Sequence, residues 1–341
     1  MKTILLSVIL IIALFNNSSF CQNRINFGTP PYDKTVNKNN SLNNGDANKA
    51  YPAGCLGDVD FSIDNEEDIF LLNSIAGIIQ KFDKNGVLLS EIKLPVEYTT
   101  HKVVRTYKIC NDSSGYLYLL ILEFQNFKYL VKYNKEGEEV FKITRAELKF
   151  DKARNIKNFF INNNDNICFN TMPVDLVAPD NGEGHWFLYN TNGKFIKRTY
   201  FPFTIANRYF AYKTYGKNNY IEYFPKQGGN TNVKDKDTTF IEESSQSDAE
   251  GIIGCDKSNK IYILNITKII IFDVNNKSQN YVPLNNHDYS TFGDYISRRR
   301  YIKVSRNGKL YQLGIVGKEK EINGSEMYNC DELNLILAKL N

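Results

Sequence analysis

The sequence predicts an all-β fold, and three observations support this prediction. From about residue 53, short runs of β-branched and aromatic residues alternate with turns rich in Asn, Asp, Gly and Lys. No long stretch in this region keeps the period of an amphipathic helix. Of the 341 residues, 42% are hydrophobic and 13% aromatic, which is enough to bury a large core and argues against a disordered chain.

Residues 1–21 have the pattern of a cleaved signal peptide. Lys2 supplies a short positive start, residues 4–15 form an apolar run, and residues 16–19 are polar. The apolar run is too short to span a bilayer as a stable helix. We therefore expect cleavage before Gln22 and a secreted or periplasmic protein, with no transmembrane span once the signal has been removed.

A lipoprotein is the alternative interpretation of the same segment. Cys21 would then be the acylated first residue and would anchor an otherwise soluble domain at the cell surface. Phe20 and Ser18 stand where bacterial lipoproteins usually have a small residue and Leu, which favours ordinary cleavage.

Residues 22–52 contain few large apolar side chains and predict an irregular N-terminal arm before a domain at 53–341.

Within that domain, a unit of four short strands recurs. In the first copy the strands are predicted at 61–64, 69–72, 78–82 and 87–89. The spacing between copies follows from one equivalent position in the second strand, which is occupied in turn by Phe70, Tyr118, Cys168, Tyr262 and Tyr311. The repeat is close to 50 residues, except for one double step between Cys168 and Tyr262. A degenerate copy is therefore expected near 208–224, which makes six copies.

A period near 50 with four strands per unit predicts a six-bladed β-propeller. Each small sheet cannot bury both of its faces alone, and stacking around an axis buries them. The alternative, a two-sheet sandwich, does not explain the recurring order of strands and turns.

The residues from Ile79 to Gly86, together with Asp64 and Ile69–Leu71, resemble the signature of NHL-repeat six-bladed propellers. The resemblance extends over residues 53–330 and also includes exported bacterial proteins of this fold. It implies the fold but not one function, since such propellers include ligand-binding, protein-binding and enzymatic members.

Composition and motifs exclude several functions. The formal charge is only +4, so no nucleic-acid partner is expected. His101, His185 and His287 do not stand at metal-binding spacings, and the six cysteines form no CxxC pair. We predict no catalytic residues, no metal and no cofactor.

The acidic residues between 58 and 68 could suggest a calcium site, but turn formation explains Asp64 better. Equivalent residues between the first and second strands are Asn111, Asn162, Asp256 and Ser305. Each can accept hydrogen bonds from turn amides.

The cysteines of the domain fall into two groups. Buried, unreactive thiols are expected for Cys110, Cys168 and Cys255, which lie in apolar strands. A Cys55–Cys330 disulfide could join the two ends of the domain.

Four charged residues share one place in the repeats, six residues before the turn residue, and are expected at one mouth of the central channel. They are Asp58, Arg105, Glu250 and Arg299, and Lys157 and Arg300 follow one residue later in their copies. These six residues are the predicted channel ring. They could plug the channel by pairing with one another, or bind a small polar or zwitterionic ligand or a peptide terminus.

The function predicted from these features is an exported, non-catalytic binding or protein-interaction module of the cell envelope. Its partner would be a small polar ligand or a protein. The alternative is an exported propeller hydrolase or lyase that acts at a channel mouth.

Overall fold

The computed structural model describes these residues: 21–27, 49–50, 59–74, 76–99, 105–123, 126–148, 154–173, 185–199, 203–205, 208–215, 218–225, 237–243, 251–264, 268–284, 301–316, 319–322, 325–329 and 334–340. In this part of the chain the fold is all-β, as predicted, and every strand pairing is antiparallel.

The strands in chain order are β1 (Cys21–Asn26), β2 (Lys49–Ala50), β3 (Val59–Ile63), β4 (Ile69–Asn73), β5 (Ile78–Phe82), β6 (Leu88–Lys93), β7 (Arg105–Asn111), β8 (Leu117–Glu123), β9 (Asn126–Tyr133), β10 (Glu139–Thr144), β11 (Arg154–Ile161), β12 (Ile167–Pro173), β13 (His185–Tyr189), β14 (Phe195–Thr199), β15 (Phe203–Ile205), β16 (Arg208–Tyr215), β17 (Asn218–Pro225), β18 (Asp237–Glu243), β19 (Gly251–Cys255), β20 (Lys260–Leu264), β21 (Lys268–Asp273), β22 (Ser278–Pro283), β23 (Ile302–Val304), β24 (Leu310–Val316), β25 (Glu319–Ile322), β26 (Ser325–Asn329) and β27 (Asn334–Leu340). A short helix α1 covers Val96–Thr99, and a single 3₁₀ turn covers Arg145–Glu147.

Five blades of four consecutive strands are present in the described residues. Blade 1 is β3–β6, blade 2 is β7–β10, blade 3 is β11–β14, blade 4 is β15–β18 and blade 5 is β19–β22. The strands of the repeat fall where the sequence places them. In the degenerate copy, strands flank residues 216–217, but they are the second and third strands of blade 4.

The prediction of a sixth blade from four consecutive C-terminal strands is wrong. β25 and β26 form a separate small sheet with β2, so the sheet at the C-terminal end has the order β23-β24-β27-β1. We call this four-stranded sheet the closing sheet. Its outer strand comes from the N-terminal end, with Arg24 opposite Ala338 and Asn26 opposite Ile336. Residues 22–26, which the sequence placed in an irregular arm, are therefore part of a strand.

The core lies between blades, as the stacking of small sheets requires. Adjacent residues on β8 illustrate this: Leu119 packs with blade 1, and Leu120 packs with blade 3, and both are fully buried. A strand that is buried on both faces has a continuous apolar sequence, which explains the run from Leu117 to Leu122. Each such leucine contributes about 1.5–3 kcal/mol to folding.

The two ends of each blade are built differently. Because successive strands alternate in direction, the first-to-second and third-to-fourth turns lie at the same end of a blade. In blades 1, 2, 3 and 5 these turns are tight, and we call this end the turn face. The first strands begin at the opposite end, which we call the loop face. No helix among the described residues is long and apolar enough to cross a membrane.

Candidate functional site

The turn between the first and second strands is held by one side chain in each clear copy. In blade 1, Asp64 Oδ1 accepts hydrogen bonds from the amides of Glu66 (2.9 Å) and Asp68 (3.0 Å). Asn162 and Asp256 accept the same pair of bonds, from the amides two and four residues later. Turn formation is thus confirmed as the role of these residues. Among the described residues, no group of three or more His, Cys, Asp or Glu side chains could hold a metal ion.

In blade 2 the turn residue is Asp112, and the assignment of Asn111 was wrong by one position. Asp112 Oδ1 accepts hydrogen bonds from the amides of Ser114 and Tyr116, both at 3.0 Å, whereas Asn111 is the last residue of β7. The sequence contained the signal for this, because the turn residue stands six positions before the second-strand residue in every other clear copy. Counted from Asp112, the position equivalent to Asp58 is Thr106 and not Arg105.

The second oxygen of the turn carboxylate binds the equivalent second-strand tyrosine. Tyr118 donates to Asp112 Oδ2 at 3.0 Å, and Tyr262 donates to Asp256 Oδ2 at 2.9 Å. Burial, with the neighbouring carboxylate, raises the pKa of both phenols. Both oxygens of these carboxylates are therefore occupied by internal donors, and the carboxylates hold the turn in place.

Blade 1 has Phe70 at this position, which carries no hydroxyl group, and the carboxylates of its turn contact a lysine. Lys81 Nζ lies 2.8 Å from Asp68 Oδ2, 3.9 Å from Asp64 Oδ2 and 5.4 Å from the centroid of the Phe70 ring. Burial raises the pKa of Asp64 despite this neighbouring ammonium group. Blade 2 has a lysine at the equivalent place in addition to its tyrosine, since Lys132 Nζ lies 3.6 Å from Asp112 Oδ2. The lysine contact is therefore shared by blades 1 and 2, and the tyrosine hydroxyl is added to it in blade 2.

On the turn face, side chains from different sheets contact one another. Arg306, in the turn of the closing sheet, donates to the carboxylate of Asp165 in blade 3 and lies 3.4 Å from the carbonyl oxygen of Asn162. The hydroxyl and the amide of Ser113 in blade 2 donate to the same carboxylate. Blade 3 and the closing sheet are not consecutive in the chain, since blades 4 and 5 lie between them. Arg306 and Asp165 therefore join parts of the ring that are not sequence neighbours.

Further bonds extend this contact to the remaining turns. Asn307 Nδ2 donates to the carbonyl oxygen of Asn65 in blade 1 at 3.4 Å. The amide of Lys257 in blade 5 donates to the carbonyl oxygen of Arg306 at 2.9 Å. Cys255 donates to Asn163, which links blades 5 and 3. We call these contacts the turn network. It brings the turns of four blades and the closing sheet together and occupies the turn face with mutually bonded polar groups.

The predicted channel ring is not tested by the structure. Asp58, Glu250, Arg299 and Arg300 lie outside the described residues. Arg105 is the first residue of β7, opposite Glu123, which puts its backbone at the loop face, but its side chain lies outside the description. The same holds for the side chain of Lys157 in β11.

The other candidate residues are placed only in part. His185 begins the third strand of blade 3, whereas His101, His287, Cys55 and Cys330 lie outside the described residues. Three cysteines within the described residues are free thiols: Cys110, Cys168 and Cys255. Burial raises the pKa of Cys110 to about 11 and that of Cys255 to about 12, and raises the pKa of Cys168 as well. These thiols are neutral near pH 7 and correspondingly poor nucleophiles.

No protein-family model and no curated protein matches this chain. Among solved structures, virginiamycin B lyase from Staphylococcus aureus is 14% identical, with a TM-score of 0.44 over 84% of this chain and 97% of that chain. A gluconolactonase from Xanthomonas campestris is 10% identical, with a TM-score of 0.43 over 84% and 91%. The aldose sugar dehydrogenase from Streptomyces coelicolor, in its PQQ-bound form, is 10% identical, with a TM-score of 0.42 over 82% and 93%. Identities this low transfer no activity to the chain, and the propeller assignment rests on its own strand order.

Proposed function

We propose that this chain is an exported six-bladed propeller of the NHL type, and that it acts as a non-catalytic binding or protein-interaction module. The closing sheet would serve as the sixth blade. It has four antiparallel strands, and it shares one apolar cluster with blade 1 and another with blade 5. A sheet that packs on the first and the last of the consecutive blades is in the position of a blade that closes a ring.

The observation that supports a binding role most directly is the turn network. It occupies the turn face with polar groups that already bond to one another, of which Arg306 and Asp165 are the central pair. A ligand there would have to displace several internal hydrogen bonds. Of the two ends of the propeller, the loop face is therefore the one that we propose for ligand recognition.

The chemistry of the loop face follows from the predicted channel ring. Arg299 and Arg300 would offer guanidinium groups to a carboxylate, and Asp58 and Glu250 would offer carboxylates to an ammonium group. Arg105 and Lys157 would add positive charge nearby. The ligand class that fits both signs is a small zwitterion, such as an amino acid, or the terminus of a peptide.

The experiment is a thermal-shift screen of the mature protein, residues 22–341, against amino acids, short peptides and other small polar molecules. We expect at least one zwitterionic compound to raise the melting temperature. Arg299→Ala and Glu250→Ala should abolish that shift, and Lys93→Ala, at an exposed site on β6, should leave it unchanged. If ring variants bind as well as the parent protein, the proposed site is wrong. Turnover of a hit that is lost in the same variants would instead support the hydrolase or lyase.

Export is tested separately, by mass spectrometry of the protein recovered from its natural host. An N-terminus at Gln22 would support secretion after cleavage, and a lipid-modified Cys21 would support the lipoprotein alternative. Retention of residues 1–21 in a cytoplasmic fraction would overturn both.

A further inference from the structure

The outer strands of blades 2 and 3 expose apolar side chains at neighbouring places. Val140 on β10 is 51% exposed, and Phe195 and Ile196 on β14 are 40% and 45% exposed. Single exposed apolar residues are common on protein surfaces, but a cluster on adjacent elements often marks an interaction surface.

These two strands are direct neighbours in space. The turn that precedes β14 contains Gly193, and a Cβ built on this glycine would lie 2.7 Å from Ile143 Cδ1 on β10. The turn of blade 3 therefore rests on the outer strand of blade 2. Val140 belongs to the same strand as Ile143, three residues nearer its start, so it lies on the strand against which the turn before Phe195 and Ile196 packs. We call these three exposed apolar residues the patch.

The charges that flank the patch have opposite signs on the two blades. Asn134 and Asn190 hold equivalent turns, and each accepts hydrogen bonds from the amides two and four residues later. The fourth residue after each is Glu138 in blade 2 and Lys194 in blade 3, and both are exposed. Glu136 adds an exposed negative charge on blade 2, and the exposed Lys135 beside it is positive, 4.0 Å from Glu66 of blade 1, so this turn is negative overall. Arg198 adds an exposed positive charge on blade 3.

We propose that this patch binds a second copy of the chain about a two-fold axis that passes between blades 2 and 3. The rim surface is defined by Glu136, Glu138, Val140, Lys194, Phe195, Ile196 and Arg198. A two-fold axis brings blade 2 of one copy opposite blade 3 of the other. Glu136 and Glu138 then face Lys194 and Arg198 of the partner copy, and Val140 packs against Phe195 and Ile196.

The charge pattern selects this occupant and this axis. An axis through the centre of blade 2 would set Glu136 and Glu138 against the same residues of the other copy, which opposes binding. An anionic lipid surface would attract blade 3 but repel blade 2. Only a partner with the reverse order of charges suits both halves, and a second copy related by this axis has that order. The inference does not depend on the ligand site proposed above.

The test measures the dimer dissociation constant by sedimentation equilibrium with charge-reversed variants of the mature protein. Reversing blade 2 alone with Glu136→Lys and Glu138→Lys, or blade 3 alone with Lys194→Glu and Arg198→Glu, should raise the dissociation constant by roughly tenfold or more. Combining all four changes should restore binding, because the order of charges is then simply inverted. Phe195→Ser should weaken the dimer in a way that no charge change rescues.

Tyr281→Ser is the matched control, since Tyr281 is 69% exposed on the outer strand of blade 5, away from the rim surface, and its loss should leave the dimer intact. Circular dichroism establishes that each variant is folded. A parent protein that stays monomeric at the highest soluble concentration would overturn the proposal. So would a dimer that responds to Tyr281→Ser, or a four-fold variant that fails to recover.

Discussion

Lys303 in the closing sheet lies 3.2 Å from Asp60 in blade 1, measured from Nζ to Oδ1. Asp60 is buried, with 1% of its side chain exposed. Its other carboxylate oxygen accepts a hydrogen bond of 2.9 Å from the amide of Ile109 in blade 2. One carboxylate thus joins the closing sheet to the first two blades.

Lys303→Met should destabilise the protein by about 3 kcal/mol, because it leaves the Asp60 carboxylate buried without its ammonium partner. The measurement is the free energy of unfolding from urea denaturation. Lys93→Met, an exposed lysine on β6, is the control and should change stability little.

The double variant Asp60→Asn with Lys303→Met should be more stable than Lys303→Met alone. The Asn side chain keeps an oxygen for the Ile109 amide, and the unpaired buried charge disappears. If the two single changes simply add, Lys303 and Asp60 do not form the coupled pair that the distance indicates.

Phe27 follows β1 and packs between the closing sheet and blade 1. Its amide donates to the carbonyl oxygen of Leu335 at 2.9 Å, and its ring centroid lies 4.5 Å from that of Phe82. Phe27→Ala should therefore lower stability by about 2–4 kcal/mol through lost packing. Val96→Ala, at a residue that is 80% exposed, is the control. A change at Phe27 as mild as that at Val96 would show that β1 contributes little to closing the sheet.

The part of the fold that local pattern determines was predictable from the sequence. Strand–turn–strand units of blades 1, 2, 3 and 5 follow from alternating apolar runs and Asx turns, and the step between second strands gives the repeat. The closing sheet was not predictable, because the residues of β1 (CQNRIN) are mostly polar and resemble the leader around them. Their partner, β27, lies more than 300 residues away, and no local signal records such a pairing.

The candidate site shows the same limit. The turn network depends on which turns meet across the ring. Nothing in the local sequence of Arg306 indicates Asp165 as its partner. The error at Asn111 had a different cause, since Asn and Asp stand side by side there and both form Asx turns. The constant spacing to Tyr118 would have decided between them.

Gly137 in the third-to-fourth turn of blade 2 has two reasons to be glycine. Its φ of 85° is in the left-handed region, and an added Cβ would lie 2.8 Å from Ile92 Cγ1 on the outer strand of blade 1. Gly137→Ala should destabilise by about 2–3 kcal/mol, from backbone strain together with the clash between blades. In a double-mutant cycle with Ile92→Ala, the clash is relieved and only the strain remains. The double variant should therefore lose less stability than the sum of the losses in the two single variants. Strict additivity would contradict the contact.

Tyr262 should make the stability of the protein depend on alkaline pH. Its hydroxyl donates to Asp256 Oδ2 at 2.9 Å and lies 3.2 Å from the carbonyl oxygen of Gly308, and burial is the main cause of its raised pKa. The folded state therefore favours the neutral phenol over the phenolate more strongly than the unfolded chain does. This contribution is complete below the ordinary tyrosine pKa of about 10 and is lost as the pH rises above it, because the unfolded chain ionises first.

Tyr262→Phe should lower the free energy of unfolding by about 1 kcal/mol near pH 7, through the lost hydrogen bonds. Phe is sterically acceptable, since Phe70 occupies the equivalent place in blade 1. Urea denaturation between pH 7 and 11 should show a smaller loss of stability at high pH in the variant than in the parent protein. Tyr281→Phe, at an exposed tyrosine, should follow the parent curve. Parallel curves for Tyr262→Phe and the parent would mean that this phenol does not carry the alkaline dependence.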